Sequence, residues 1–408
     1  MITSDYGFSI VNYIGHYKII DDNGLRIVSE EYHPARGSEK ELNTITLFVD
    51  DFKNNDYLLI ALANVDIKKD SDIIGFCNKY GLPYSSAKIN DEQPGYYIWG
   101  LDVDEATYAR WDPYYRQDTM SRFEFCRHAS SAKRLLNVKA EIEATKRNPH
   151  AMLQYLLPLL LLDRRHLYEL NEDDLTPETP TGRFQWYFLS IVERAKKKDE
   201  KISFIVALLY FIKDIQDTCK NLYKHPVSEQ RLKDYKSSDW NNLFQLLLEV
   251  MKLNTRHLNE ITFDDFGNIT LPRDLEITES LQTYMYTLAP QILMDMINEG
   301  LIKVHPTLFI NSKGKFAADW LLKYQYEGLL LEIFLMLSSG SQLRKCANPT
   351  CEKFFSPSSH SDKMFCTQRC ASLVAKRRQR MRDKENPDRE RLKAGFQSKQ
   401  LINKSNAD

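Results

Sequence analysis

Cys346, Cys351, Cys366 and Cys370 gather four of the chain's seven cysteines into one stretch, CANPTCEKFFSPSSHSDKMFCTQRC. Two closely spaced pairs of soft thiolates are the ligand set of a tetrahedral zinc site, with Zn–S distances of about 2.3 Å. Asn348 and Pro349 inside the first pair favour a tight turn that brings Cys346 and Cys351 together. Cys366 and Cys370 stand at i and i+4 and would share one face of a helix starting there. Phe354, Phe355 and Phe365 offer a small aromatic core, too little apolar surface to fold without a metal. Catalytic zinc usually keeps a coordination position open, whereas four cysteines close the site. The expectation is one structural Zn2+. His360 is the one competing ligand in this stretch. A disulfide pair or an iron–sulfur cluster is the competing chemistry, and the reducing compartment argued below disfavours both.

After Cys370 the sequence ASLVAKRRQRMRDKEN reads as a helix that stops before Pro387, because the residue preceding a proline is turned away from the helical region. Ala371, Val374 and Ala375 can pack on the metal module, while Lys376, Arg377, Arg378, Arg380, Arg382 and Lys384 project from the turns that follow. Cations at this density suit phosphate contacts, and arginine can read guanine edges in a major groove. Asp383, Glu385, Asp388 and Glu390 interleave acids among them, as on a solvated face or one that docks on a protein. Regularly spaced aromatics of the kind that stack single strands are missing from the segment.

The formal net charge of −1 conceals a separation: from Arg344 onward there are 16 Lys/Arg against 7 Asp/Glu, and before it 39 against 49. An acidic body thus carries a basic tail, and such asymmetry favours an anionic partner for the tail. Signals for enzyme chemistry are thin. No phosphate-binding loop, dinucleotide fingerprint, H-E-x-x-H or nucleophile elbow occurs. The doublets Asp50/Asp51, Asp102/Asp104, Asp173/Asp174 and Asp264/Asp265 read as strand ends, turns or helix starts. A catalytic centre assembled from distant residues of the first 145 would leave no local motif, so an enzyme is the third reading. Cys77, Cys126 and Cys219 read as small core residues.

At 408 residues the chain is long enough for two or three domains, and 43% hydrophobic residues can fill their cores. The amino-terminal residues lack the basic start and apolar run of an export signal. AMLQYLLPLLLLD (151–163) is too short and too interrupted to cross a bilayer. A cytoplasmic protein with no membrane partner is expected, in a compartment where stable disulfides are uncommon.

The elements that position these residues read as α+β. YKIIDDNGLRIVSEEY alternates on both sides of Asp-Asn-Gly, a hairpin signal. TITLFVD (44–50), DYLLIALANVDI (56–67) and YYIWGLDVD (96–104) read as strands. SDIIGFCNKYGLP reads as a helix with Ser71 as N-cap and Gly81 as stop. Helices are expected over 118–147, 151–171, 182–198, 201–224, 241–253, 279–300 and 317–340, with short strands or loops at FGNITLPR and IKVHPTLFINSKGKF. The division that follows is a mixed α/β domain (1–147), a mainly helical body (148–343), a four-cysteine, treble-clef-like zinc finger with its basic helix (344–386) and a flexible charged tail (387–408).

The run LRKCANPTCEKFF…KMFCTQRCASLVAKRRQR resembles the CGNR-type zinc fingers of bacterial proteins thought to regulate transcription. The matching features are Cys346-x-Asn348-Pro349-x-Cys351, Phe355 after the turn, Phe365 directly before Cys366, and the basic helix. So does the helix EGLLLEIFLMLSSG leading into LRKC. The resemblance spans roughly residues 300–385, and Ala371-Ser372-Leu373 stands where that family has Gly-Asn-Arg. It implies a bacterial regulator that binds duplex DNA through the finger while the larger body senses a ligand or partner. The rival reading is a zinc-stabilised adaptor whose tail docks on an acidic protein.

Overall fold

The Asp-Asn-Gly turn is where local chemistry dictates structure most directly. Gly24 sits at φ 120°, a conformation that strains a side chain, and its N–H reaches the Asp21 carboxylate at 3.3 Å. Strands β2 (Tyr17–Asp21) and β3 (Leu25–Ser29) pair antiparallel across it. The computed structural model describes residues 7–12, 16–21, 24–29, 43–48, 57–83, 119–161, 179–184, 213, 238–253, 261–264, 266, 268–301, 304–310, 316–321, 325–338, 343–357 and 362–385. Helices predominate among them, with small antiparallel sheets, so the architecture is mixed α+β. The strand expected at 96–104, most of the helices at 182–198 and 201–224, Cys219 and His360 lie outside the described residues.

The chain divides into two compact units, 1–342 and 343–408. In the first, β1 (Gly7–Asn12) pairs with β4 (Asn43–Phe48), which overlaps the stretch read as TITLFVD. The β2–β3 hairpin gains a third strand, β5 (Thr119–Ser121). Ser121 then caps helix α3 (Arg122–Glu143), its hydroxyl accepting the Glu124 N–H at 3.0 Å while the Glu124 carboxylate accepts the Ser121 N–H at 3.2 Å. This S-x-x-E box explains why the helix starts four residues later than the continuous segment expected from 118, and why the residues before it are free to join a sheet.

Three further expectations are corrected. DYLLIALANVDI contains helix α1 (Leu58–Ala63) where a strand was expected. Five of its six residues are buried, and a short apolar run of this kind has no period to separate strand from helix. Helix α2 (Asp70–Tyr80) begins after Lys69, which leaves Ser71 inside the first turn and not at the cap, while Gly81 ends it at φ 76° with its N–H on the Cys77 carbonyl at 2.7 Å. The segment read as one helix from 317 to 340 is instead strand β9 (Phe316–Leu321) followed by helix α7 (Gln325–Ser338). β9 pairs along its whole length with β8 (His305–Ile310), so ladder hydrogen bonds from a neighbouring segment override local helical character.

Helix α4 (Pro149–Leu161) carries Pro158 in its last turns and is mostly apolar, with every residue from Leu156 to Leu161 buried. Helix α5 (Ser238–Met251) and helix α6 (Glu279–Gly300) follow, the latter capped by the Thr278 hydroxyl on the Leu281 N–H at 3.2 Å. α3 is the hub, with α1, α4 and α6 packed on it, while α6 also meets α4, α5 and α7. Between α5 and α6, the short strands β6 (Thr262–Phe263) and β7 (Ile269–Thr270) form a hairpin. Its turn is set by the Asp264 carboxylate, which accepts the Phe266 and Asn268 N–H groups at 2.9 and 2.8 Å, so this acid is spent on a turn. Among the described residues, no helix is long and apolar enough to cross a membrane.

Candidate metal centre and basic helix

In the second unit a two-residue ladder, β10 (Arg344–Lys345) against β11 (Phe354–Phe355), sets the turn that carries the first cysteine pair. Inside it the Asn348 carbonyl accepts the Cys351 N–H at 2.8 Å, and the Asn348 side-chain oxygen accepts from the Thr350 N–H at 3.3 Å and hydroxyl at 3.2 Å. An asparagine followed by proline favours this geometry, because its amide side chain mimics a backbone turn. Cys346 donates its N–H to the Lys353 carbonyl at 2.9 Å, which fixes the base of the loop.

The second pair is brought alongside by two bonds. The Ala347 N–H reaches the Met364 carbonyl at 2.8 Å, and the Arg344 guanidinium reaches the Lys363 carbonyl at 3.0 Å. The Cys366 N–H then points at the Cys346 sulfur, 3.5 Å away. Helix α8 (Gln368–Glu385) begins after Thr367, whose hydroxyl accepts the Cys370 N–H at 3.3 Å. Cys370 therefore lies in the first turn of α8 and Cys366 two residues before it. The expectation that both share a helix face is corrected: the Thr367 cap starts the helix after Cys366.

All four sulfurs lie within 4.8 Å of one another. Cys351 and Cys366 are 3.6 Å apart, Cys366 and Cys370 3.7 Å. A disulfide needs an S–S distance of about 2.05 Å, and the four thiols are free. A tetrahedron with bonds of about 2.3 Å has edges of about 3.8 Å, so the cage already has the size of a single-ion site. Among the described residues this is the one group of His, Cys, Asp or Glu side chains that could hold a metal ion. Cys346, Cys370 and Phe355 form its buried centre, with Cys351, Phe365 and Cys366 packed around them. Val374 is buried against this side of α8 and Ala371 half-buried, while Ala375, expected to pack here, is exposed.

The electrostatics divide the four thiols. Hydrogen bonding from the Asn348 amide, then from Thr367, holds Cys370 down to about 6. Burial, then the neighbouring thiols, pushes Cys366 up to about 12, and burial also raises Cys351. A cation entering the cage would displace protons from Cys351 and Cys366.

Lys376, Arg377, Arg378, Arg380, Arg382 and Lys384 are all on α8 and all exposed, but they do not act alike. At 100° per residue, Lys376, Arg380 and Lys384 share one stripe, which Arg369 and Leu373 extend towards the amino-terminal end of the helix. Arg378 and Arg382 lie on the opposite side, where the Arg382 guanidinium folds back to the Arg378 carbonyl at 3.4 Å. Arg377 is engaged by the first cysteine turn, with one guanidinium nitrogen 3.0 Å from the Asn348 side-chain oxygen and another 3.0 Å from the Thr350 hydroxyl. Sequence reasoning missed Arg369, which stands between the last two cysteines. Its separation of seven and eleven residues from Lys376 and Arg380 is the signal that marks it. No family model, curated protein or solved structure matches the chain.

Proposed function

We propose that residues 343–385 are a structural zinc finger whose basic helix binds duplex DNA, and that the protein is a transcription regulator whose acidic body takes an effector or a protein partner. The observation that carries this reading is the cationic stripe Arg369, Lys376, Arg380 and Lys384, exposed on a helix whose first turn carries Cys370 of the four-cysteine cage. A cysteine turn followed by a helix bearing the last ligand is treble-clef-like. Zinc suits the cage because four thiolates match its softness, and sulfurs this close together surround one ion more readily than a cluster of several irons. With four protein ligands the ion has no open position for water, so its role is to hold the fold.

The stripe sets a magnitude. Four phosphate contacts give a salt slope of about −3.6, a fall of roughly 150-fold in affinity between 50 and 200 mM salt. Six contacts, one from every cation of the Lys376–Lys384 run, would give about −5.4. Binding of zinc-loaded protein to mixed duplex fragments across a salt series decides this, with a chain ending at Gly340 as control. Failure to bind at low salt, with the metal in place, would sink the regulator reading. A second reading has its own observation: Met364, Leu373 and Met381 are exposed on the same unit, Met381 at 63%. Methionine beside arginine is a protein-interface composition, and an acidic protein surface is the partner it fits.

A further inference from the structure

We propose that Arg377 is a positioning residue of the metal centre and not a phosphate contact: it ties the turn between Cys346 and Cys351 to the helix that carries Cys370. The argument starts at Asn348, which is 2% exposed and has one oxygen and one NH2 group to satisfy. Its oxygen accepts from three donors, the Thr350 N–H, the Thr350 hydroxyl and the Arg377 guanidinium. Turning the amide over would set its NH2 against the N–H donors of Thr350 and Arg377. The orientation of the amide, and with it the turn between Cys346 and Cys351, is thereby fixed.

Arg377 follows Cys370 by seven residues, so it lies two turns along α8 and only about 20° round from the ligand. From there the guanidinium bridges Asn348 and Thr350 at 3.0 Å each. A planar fork makes such a paired contact at low entropic cost, and a lysine ammonium cannot reproduce it. Cage, turn and helix are joined at this point, and partners that orient a metal ligand typically contribute 10- to 100-fold in metal affinity. Only the DNA arm of the test rests on the function proposed above.

Full-length Arg377→Gln, Arg377→Lys and Arg380→Gln are compared with the parent in two measurements: Zn2+ affinity by chelator competition, and the salt slope on a duplex fragment. Both Arg377 variants are expected to lose about 10-fold or more in Zn2+ affinity with the slope unchanged. Arg380→Gln should keep its Zn2+ affinity and lower the slope by about one. Unchanged Zn2+ affinity in Arg377→Gln, its recovery in Arg377→Lys, or a slope reduced by about one in Arg377→Gln would each overturn the assignment. At saturating Co2+ the Arg377 variants should still give the tetrahedral tetrathiolate spectrum; its loss would mean that Arg377 builds the cage, and overturns the proposal too. If the parent binds no DNA, the metal arm still decides the role of Arg377.

Discussion

Glu332 of α7 is fully buried, and its two carboxylate oxygens accept the N–H groups of Leu58 at 2.8 Å and Leu59 at 2.6 Å, at the start of α1. Burial pushes its carboxyl from the usual 4.5 up to about 8, the two N–H donors pulling it back part of the way. The folded protein therefore holds a proton here that the unfolded chain releases above pH 4.5. Stability from this group is fully present below that pH and is lost as pH rises towards 8. In Glu332→Gln the amide can accept only one of the two N–H groups, which costs on the order of 1–3 kcal/mol. Denaturant midpoints at pH 5 and pH 8 check the assignment. The variant should be less stable than the parent, and it should lack the parent's decline over that interval. An equal decline in both proteins would assign the pH dependence elsewhere. Nothing in the sequence around Glu332 points to this, because its partners are 274 and 273 residues away.

At the scale of elements, legibility follows the distance over which each element is decided. The β2–β3 hairpin, the Gly81 stop and the α6 helix at 279–300 are fixed by residues inside or beside them. The cysteine turn is equally local, being set by Asn348-Pro349. The failures have remote causes: α1 is capped from α7, and β9 exists because β8 runs beside it. The start of α3 is a different case. Ser121 and Glu124 form a capping box that is present in the sequence, inside a segment that looks uniformly helical. Ser121→Ala removes the hydroxyl that accepts the Glu124 N–H and should cost about 1 kcal/mol. A urea titration of the full chain measures it. A shift near zero would mean that the β5 pairing, not the box, defines where α3 begins. The candidate site divides in the same way: ligand spacing and helix charge were legible, but the removal of Arg377 from the charged face was not, since it depends on the three-dimensional fold of the turn.

For the whole molecule, the two units differ in what can hold them together. Residues 1–342 bury a helical core around α3, in which Leu136, Leu159, Leu160, Ile292 and Leu330 have no exposure at all. Among the described residues of 343–408, the apolar side chains buried besides two of the cysteines are Leu343, Phe354, Phe355, Pro357 and Val374. A core of that size does not sustain a fold alone, so a metal bound in the cage would supply the folding free energy of the second unit. The same unit carries an excess of nine positive charges, a repulsion that such an ion would also have to offset. Stripping the metal with a strong chelator should therefore abolish the ordered state of the second unit, seen as loss of amide exchange protection in α8. The cooperative unfolding of the first unit should keep its midpoint. DNA binding should weaken together with α8 protection, because an unfolded basic segment has to be ordered at the expense of binding. Cys351→Ser should reproduce the stripped state with zinc in excess. If the stripped protein keeps its α8 protection and binds duplex DNA with an unchanged slope, the cage contributes nothing to the basic helix, and the two features that define this unit are independent.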